Sequence, residues 1–239
     1  MRLMRDSAVK RRILAAIEDG PVSGEKLAEG LGISRVAVWK HIRELKRLGY
    51  KIEASHAGYF LRERPDVPYP WELPVKAYYL EETSSTMDVA WKLAERGRDF
   101  FVIAGSQKSG RGRKGSRWLS PPGGLWFSLV ASPELSLSEA GKMSKAAREV
   151  IAEYLQGKGI PAEVSENGVF VHGKKIAGVL VEVAGELDAI RFAVVGVGIN
   201  VKNPVPEGAT SMALELGDVS LLGTARELLP KLLDNLKAF

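Results

Sequence analysis

Apolar residues fall three or four apart over Val9, Ile13, Ala16 and Ile17, a spacing that predicts an amphipathic helix stopped by Gly20-Pro21. A second short helix opens at Ser23, a residue type that caps helix N-termini. Glu25 suits the positive helix end, Leu27 and Ala28 face inward, and Gly30 to Gly32 make a turn. Ser34 caps a third helix whose apolar positions are Val36, Val38, Ile42, Leu45 and Leu48, with Arg35, Lys40, His41, Arg43, Lys46 and Arg47 projecting elsewhere and Gly49 ending it. The period then changes from helical to alternating in Tyr50 to Glu53 and Gly58 to Leu61, which predicts a small hairpin around Ala54 to Ala57. Two short helices across a glycine-containing turn, followed by a hairpin, describe a winged helix-turn-helix.

From Lys76 onward strands and helices mix. The pattern predicts strands at Lys76 to Glu81, Phe100 to Ala104 and Leu125 to Ala131, and helices at Met87 to Arg96 and Ser136 to Gln156, the latter opened by a Ser136/Glu139 capping box and closed by Gly157. Asn167-Gly168 marks a hairpin turn within Val164 to Val171. Lys175 to Val183 and Ala189 to Val197 read as long β-branched strands joined near Gly185-Glu186, and Thr224 with Glu227 opens a final helix bent at Pro230. Adjacent hairpin strands predict an α+β fold with a mixed, mostly antiparallel sheet and packed helices, not a doubly wound parallel one. Four of the twelve prolines (Pro65, Pro68, Pro70, Pro74) fall in ten residues, where neither helix nor central strand can run. The expected division is therefore a winged helix-turn-helix at 1–64, a proline-rich linker at 65–75 and a larger domain at 76–239.

The chain has 239 residues, 45% hydrophobic and 26% charged, enough to bury one or two cores. No apolar run approaches the roughly 18 residues of a bilayer span, and the basic start of the chain has no apolar segment behind it, so neither a membrane anchor nor a secretory signal is expected. Absence of cysteine removes disulfides, thiolate metal sites and thiol nucleophiles. His41, His56 and His172 are scattered, and each reads as a surface residue rather than a ligand. These features predict a cytoplasmic protein. Residues 1–64 hold 14 Lys+Arg against 8 Asp+Glu, or +6, so the remainder carries −1 of the net +5. A basic patch on a helix-turn-helix fits DNA: Ser34 and Arg35, with Trp39 beside them, lie nearest base edges, and Lys40, Arg43 and the hairpin meet phosphates. A three-helix interaction module without DNA is the other reading.

Gln107 to Trp118 (QKSGRGRKGSRW) puts three glycines and five cations in one loop. Such a loop is either a solvated linker or a segment that closes on an anion. Mutual repulsion predicts disorder until phosphate or acyl phosphate arrives, and the chemistry it suits is charge stabilisation at phosphorus. The spacing is not that of a Walker A loop.

Gly110 to Trp118 (GRGRKGSRW), with Glu82 to Thr86 (ETSST) upstream and Gly173 to Glu182 (GKKIAGVLVE) and Gly196 to Asn200 (GVGIN) downstream, resembles the biotin protein ligases. With the winged helix added it resembles their bifunctional form, the biotin operon repressors, over nearly the whole chain and in the right order. The resemblance implies a class II synthetase-like ligase domain, with biotin, ATP and Mg²⁺ as reactants. It also implies a biotin carboxyl carrier protein as acceptor, operator DNA as partner, and a homodimer. The reaction the resemblance implies has two steps: biotin's carboxylate attacks the α-phosphate of MgATP to give biotinyl-5′-adenylate and pyrophosphate, and an acceptor lysine then takes the biotinyl group as an amide. By motif position, the resemblance assigns catalysis to Arg111, Arg113 and Lys175. Biotin is assigned to Ser85, Thr86, Gln107, Gly110, Arg111, Trp118, Lys175, Gly178, Gly196 and Val197, and the nucleotide to Arg113, Asn167 and Asn200. No metal ligand is assigned. Simpler roles remain open: Ser85 as a helix cap, Trp118 as core, Lys174-Lys175 as a solvated pair. Where the family usually carries Lys-Trp-Pro-Asn-Asp, this chain has Val164-Ser165-Glu166-Asn167-Gly168, a loss of one cation and one carboxylate that should weaken ATP or metal binding unless other groups compensate. The alternative function is accordingly a DNA-binding biotin sensor with weak or no ligase activity; lipoate attachment is a third. The small SH3-like β-barrel that follows the final helix in many members is expected to be absent, because the sequence stops at Phe239.

Overall fold

The computed structural model describes residues 3–186 and 189–239. They form two compact units, Asp6–Val67 on one hand and Met1–Arg5 with Pro68–Phe239 on the other.

In chain order the elements begin with β1 (Met4–Arg5), α1 (Ala8–Ala16), α2 (Gly24–Leu31), α3 (Arg35–Arg47), β2 (Lys51–Ser55) and β3 (Gly58–Glu63). The small unit is a three-helix cluster with an antiparallel β2–β3 hairpin. Each helix starts at a serine whose side-chain oxygen accepts a backbone N–H of the first turn: Ser7 from Lys10, Ser23 from Lys26, Ser34 from Ala37. Gly32 ends α2 in the left-handed conformation that glycine adopts without Cβ strain. Ile13, Leu14, Ile17, Leu27, Val38, Ile42 and Leu45 make the core. Val36 does not join them. At 61% exposure it belongs to the outward face of α3, because the helical period that buries Val38, Ile42 and Leu45 turns position 36 away. His41 departs from its surface reading too. It is half-buried, its Nδ1 has no partner, and burial followed by the charge of Lys10 lowers its pKa against the opposing pull of Glu44.

The larger unit continues with β4 (Ala77–Thr83), α4 (Thr86–Ala94), β5 (Phe100–Gln107), β6 (Leu125–Ala131), α5 (Ala140–Gly157), β7 (Ala162–Ser165), β8 (Gly168–Val171), β9 (Lys174–Glu186), β10 (Ala189–Ile199), α6 (Met212–Leu216) and α7 (Leu221–Lys237). Eight strands form one sheet in the order β1-β4-β5-β6-β10-β9-β8-β7. Only β4 and β5 run parallel, with α4 as their crossover, and every other pair is antiparallel. Helix α4 packs Met87, Ala90 and Ala94 against Leu80, Phe100, Val102, Val130, Phe192 and Val194. Helices α5 and α7 pack together and against β9 and β6. Strand β10 is buried along most of its length, as its apolar run between two neighbours requires.

Several boundaries differ from expectation. β1 was not foreseen: two residues ahead of the small unit pair with Tyr78 and Tyr79 in the large one. The stretch 65–75 is not a bare tether, since Tyr69, Trp71 and Leu73 are buried and a 3-10 turn spans Pro70–Glu72. Arg226 on α7 holds that turn, donating from Nε to the Glu72 carbonyl at 2.9 Å and pairing with the Glu72 carboxylate. The final helix starts at Ser220, which caps Gly223, while Thr224 is buried and donates to the Ser220 carbonyl. The hairpin turn falls on Glu166-Asn167, one residue before the expected pair, with Gly168 opening β8 opposite Ser165. His172 and Gly173 both take positive φ, 49° and 75°, and form the next two-residue turn. Gly185 and Glu186, where a turn was expected, are still paired with Ile190 and Ala189, and residues 187–188 between the strands lie outside the described residues.

Candidate active site

The end of β5, the N-terminus of α4 and strands β6, β9 and β10 surround a cavity of about 210 Å³ roofed by the arginine-rich loop. Its polar floor starts from Thr86. The side-chain oxygen Oε1 of Gln107 accepts the Thr86 N–H at 2.8 Å and its hydroxyl at 3.1 Å, Thr86 Oγ1 meets Ser128 Oγ at 2.9 Å, and Gln107 Nε2 donates to Ser120 Oγ at 2.8 Å. This network fixes the amide orientation and leaves one Nε2 hydrogen of Gln107 for a ligand. Ser85 caps α4 through its oxygen and also lines the cavity, so its two readings are compatible.

The roof is a hairpin. Gln107 pairs with Ser120, Arg111 with Arg117, Gly112 N–H donates to Ser116 O at 2.7 Å and Trp118 N–H to Gly110 O at 2.8 Å. Gly110 is the hairpin neck, because a Cβ there would lie 2.4 Å from the Trp118 carbonyl oxygen; it does not line the cavity. The loop's Arg111 has partners outside the loop. Arg111 donates to Asp88 at 2.5 Å and to Glu182 at 3.3 Å, and Glu182 also accepts the Trp91 indole N–H at 2.6 Å. These counter-charges stand on α4 and β9 rather than in the loop. Arg111 therefore works as a clasp on the loop. Asp88→Asn with Glu182→Gln should speed tryptic cleavage within 111–117 severalfold, as a released loop opens more often; an unchanged rate would mean the clasp holds nothing.

Trp118 lies against two glycines. A Cβ on Gly178 would come 2.8 Å from its ring and one on Gly198 would come 2.3 Å from its Nε1, so both strands are bare where the indole rests. The Nε1 is buried without a partner. Gly196 faces Met87, whose Sδ would be 2.7 Å from an added Cβ, rather than open space. Phe127, Val179, Leu180 and Val197 supply apolar wall.

Lys175 Nζ stands 5.2 Å from the Trp118 ring centroid, and burial, then the charge of Arg113, lowers its pKa from the usual lysine range. Arg113 Nη1 donates to the Glu166 carbonyl and to Asn167 Oδ1 at 3.3 Å. Neither Lys175 nor Arg113 has a carboxylate partner among the described residues. Asn200 does not reach the cavity. Its Nδ2 donates to Thr210 O at 3.0 Å and its Oδ1 accepts from Asn203, while Thr210 N–H donates to Lys175 O at 3.0 Å. It braces the backbone that carries Lys175 and contacts no ligand space, because strand β10 ends one residue earlier and turns it inward.

Ser85, Thr86, Gln107, Arg111, Arg113, Trp118, Asn167, Lys175, Gly178, Gly196 and Val197 thus line one cavity, and Gly110 and Asn200 stand behind it. Sequence reasoning gave no role to Asp88, Glu182, Gly198 or Leu180. Only the strand alternation of GVLVE could have put Leu180 and Glu182 on the face of Gly178. On the small unit, Arg35, Trp39, Lys40 and Arg43 are exposed along α3, with the Arg43 guanidinium 5.3 Å from the Trp39 ring centroid. Ser34 is occupied as the helix cap.

A glycine-floored cleft with a cationic mouth and a helix-turn-helix in one chain define a small-molecule enzyme joined to a nucleic-acid-binding module. Comparison with known proteins makes this specific. Residues 78–200 match the biotin/lipoate A/B protein ligase family and residues 10–60 match an HTH domain. The chain belongs to the biotin/lipoate A/B protein ligase family. It is 32% identical over 217 residues to the bifunctional ligase/repressor BirA of Bacillus subtilis, covering 83% of this chain and 67% of that protein. With BirA of Escherichia coli the figures are 30% over 214 residues, 82% and 65%. Biotin protein ligase from Aquifex aeolicus in complex with biotin and ATP superposes with a TM-score of 0.54 at 30% identity, over 68% of this chain and 71% of that one. The Leishmania major enzyme in complex with biotinyl-5-AMP gives 0.52 at 26%, over 68% and 75%.

Proposed function

We propose that this chain adenylates biotin with ATP, transfers it to a lysine of a biotin carboxyl carrier protein, and represses transcription at an operator in response to the adenylate. The carrying observation is a single cavity whose apolar wall ends at Lys175 and Arg113, two cations without carboxylate partners among the described residues. The sensor without ligase activity is not favoured, because both cations that the first step needs are in place.

The Ser85 hydroxyl and the remaining Gln107 Nε2 hydrogen are donors for the ureido oxygen, and Leu180, Val197 and Trp118 pack the ring and tail. The tail carboxylate then lies at Lys175. Carboxylate and α-phosphate repel each other, and Lys175 and Arg113 reduce that repulsion in a site with little water to screen it. A carboxylate oxygen bonds to the α-phosphorus as the bond to the β-phosphate breaks, and pyrophosphate leaves. In the second step the neutral amine of the acceptor bonds to the acyl carbon, the bond to AMP breaks, and the amine proton passes to solvent. Trp118 and the clasped loop keep water from the mixed anhydride meanwhile. Magnesium enters this reaction with its substrate, as MgATP.

Homodimerisation is supported by β9, which pairs with β8 only through Lys174–Ala177 and from Gly178 onward offers an edge for antiparallel addition. An adenylate that binds the dimer more tightly than the monomer would couple ligand to operator half-sites. A cytoplasmic location follows from this reading, because ATP, carrier protein and operator DNA meet there; no helix among the described residues is long and apolar enough to cross a membrane. The proposal is tested by incubating the chain with biotin, MgATP and an acceptor domain: one lysine should gain one biotinyl group, and an unmodified acceptor would refute the ligase.

The DNA reading has its own test. Arg43→Ala should weaken binding to all sequences and reduce the slope of log K against log salt by about 1, and Arg35→Ala should cost about 1–3 kcal/mol and relax sequence preference. Biotin transfer should be unaffected by both. DNA binding indifferent to the two changes would contradict α3 as the recognition helix.

A further inference from the structure

We propose that Arg148 of α5 binds the polyphosphate of the nucleotide, forming with Arg113 a two-guanidinium fork that replaces the lysine missing at Val164. The proposal rests on the nucleotide reading above and adds a residue that no sequence motif contains.

Arg148 Nη1 donates to the Glu166 carbonyl oxygen at 2.9 Å, the same oxygen that accepts from Arg113 Nη1. Its other bond goes to Ser144 Oγ at 3.2 Å, and its Nε is buried with no partner. Two guanidinium groups therefore converge on one neutral acceptor, and neither is paired with a carboxylate among the described residues. Burial, then the charge of Arg113, lowers the pKa of Arg148 against the opposing pull of Glu149 and Glu166, but a guanidinium stays protonated in proteins, so a bound anion relieves the repulsion that remains. Planar guanidinium forks match phosphate oxygens bidentately.

The fork opens on a second cavity of about 380 Å³, lined by Arg113, Arg148, Ser144, Glu166 and residues of β9 and α5. Arg113, Val179 and Leu180 line this cavity and the first one as well. An anion whose α-phosphate lies at Lys175 can extend past Arg113 to Arg148. The altered hairpin fits this arrangement. A Cβ at Gly168 would come 2.7 Å from Lys175 Cε and 2.3 Å from the Ala177 carbonyl oxygen, so the aspartate of the family pattern has no room here. Position 164 is 42% exposed, and its valine leaves the cation to be supplied from α5.

Calorimetric titration of the full chain with ATP, inorganic pyrophosphate and biotin, each alone, tests the fork. Arg148→Ala should weaken ATP and pyrophosphate by about tenfold or more while changing biotin by less than about twofold. Adding Val164→Lys to that variant should restore most of the lost affinity, which a merely structural arginine would not allow. Unchanged ATP and pyrophosphate affinity, an equal loss for biotin, or no recovery with Val164→Lys would each overturn the proposal. ATP binding indifferent to Arg148 in a chain that still biotinylates its acceptor would remove the fork and leave the ligase. Pyrophosphate binding dependent on Arg148 in a chain blind to biotin would keep the fork and remove the ligase.

Discussion

A Lys175→Ala chain is expected to lose adenylation by about 100- to 1,000-fold in kcat/KM, the usual effect of removing one preorganised charge donor from a developing anion. The ammonium has no carboxylate partner among the described residues, it is desolvated, and it faces Arg113, so it contributes no ion pair to the fold. Its loss should leave the melting temperature of the apo chain unchanged or slightly raised. A large destabilisation would instead make it a structural residue. The same environment sets a pH dependence. Burial and Arg113 lower the pKa of the free enzyme's Lys175, so the ammonium is lost as pH rises through a value below the ordinary lysine range. The profile of kcat/KM should fall on its alkaline side at that pH, and Lys175→Arg should carry the fall to higher pH. An alkaline limb that ignores the substitution would remove Lys175 from the first step.

Gly198→Val is expected to weaken biotin binding by about 10- to 100-fold, from the roughly 1–3 kcal/mol that overpacking costs. A Cβ at this position would lie 2.3 Å from Trp118 Nε1 and 2.6 Å from a second ring atom, and the two further methyl groups deepen the clash. Strand β10 is bonded on both sides, to β6 and β9, so it cannot retreat. The indole must move, and with it the hairpin roof. Displacement of the roof also exposes the mixed anhydride, so adenylate should escape or hydrolyse faster in this variant. A crystal of Gly198→Val with the indole unmoved and biotin affinity unchanged would show that the slot has no part in ligand binding. Leu214→Ser, on the exposed face of the short helix α6, is a suitable control because it touches neither slot nor loop.

How much of this could be read from the chain depended on where the decisive partner stood. Helix starts at Ser23 and Ser34, the β2–β3 hairpin and the two long strands β9 and β10 were legible, since capping, alternation and β-branching are local. Gly178 and Gly196 were assigned to biotin by their places in GKKIAG and GVGIN, whereas Gly198 carried no assignment, and what lies against Gly178 and Gly198 is the chain's own Trp118. Arg111 was read by motif position as a catalytic and biotin-binding cation, and its pairing went unseen because Asp88 and Glu182 stand 23 positions before and 71 after it. Asn200 looked like a ligand contact by its place in a motif, yet its amide is consumed by Thr210 and Asn203. β1 and the buried Tyr69, Trp71 and Leu73 were hidden for a similar reason: two residues make no periodic signal, and prolines suggest a tether whatever packs around them. Arg148 carries no motif at all. It stands in a helix whose apolar period is satisfied without it, and its meaning appears only once Glu166 and Arg113 come to the same point.

In the proposed reaction, biotin's carboxylate and the α-phosphate of ATP meet at Lys175 and Arg113. Exchange of labelled pyrophosphate into ATP tests it most directly, because label returns to ATP only through the adenylate. Label should enter ATP when biotin is present and not when it is withheld, and the exchange should be lost in Lys175→Ala. Label that appears equally without biotin, or none in its presence, would contradict the proposed reaction.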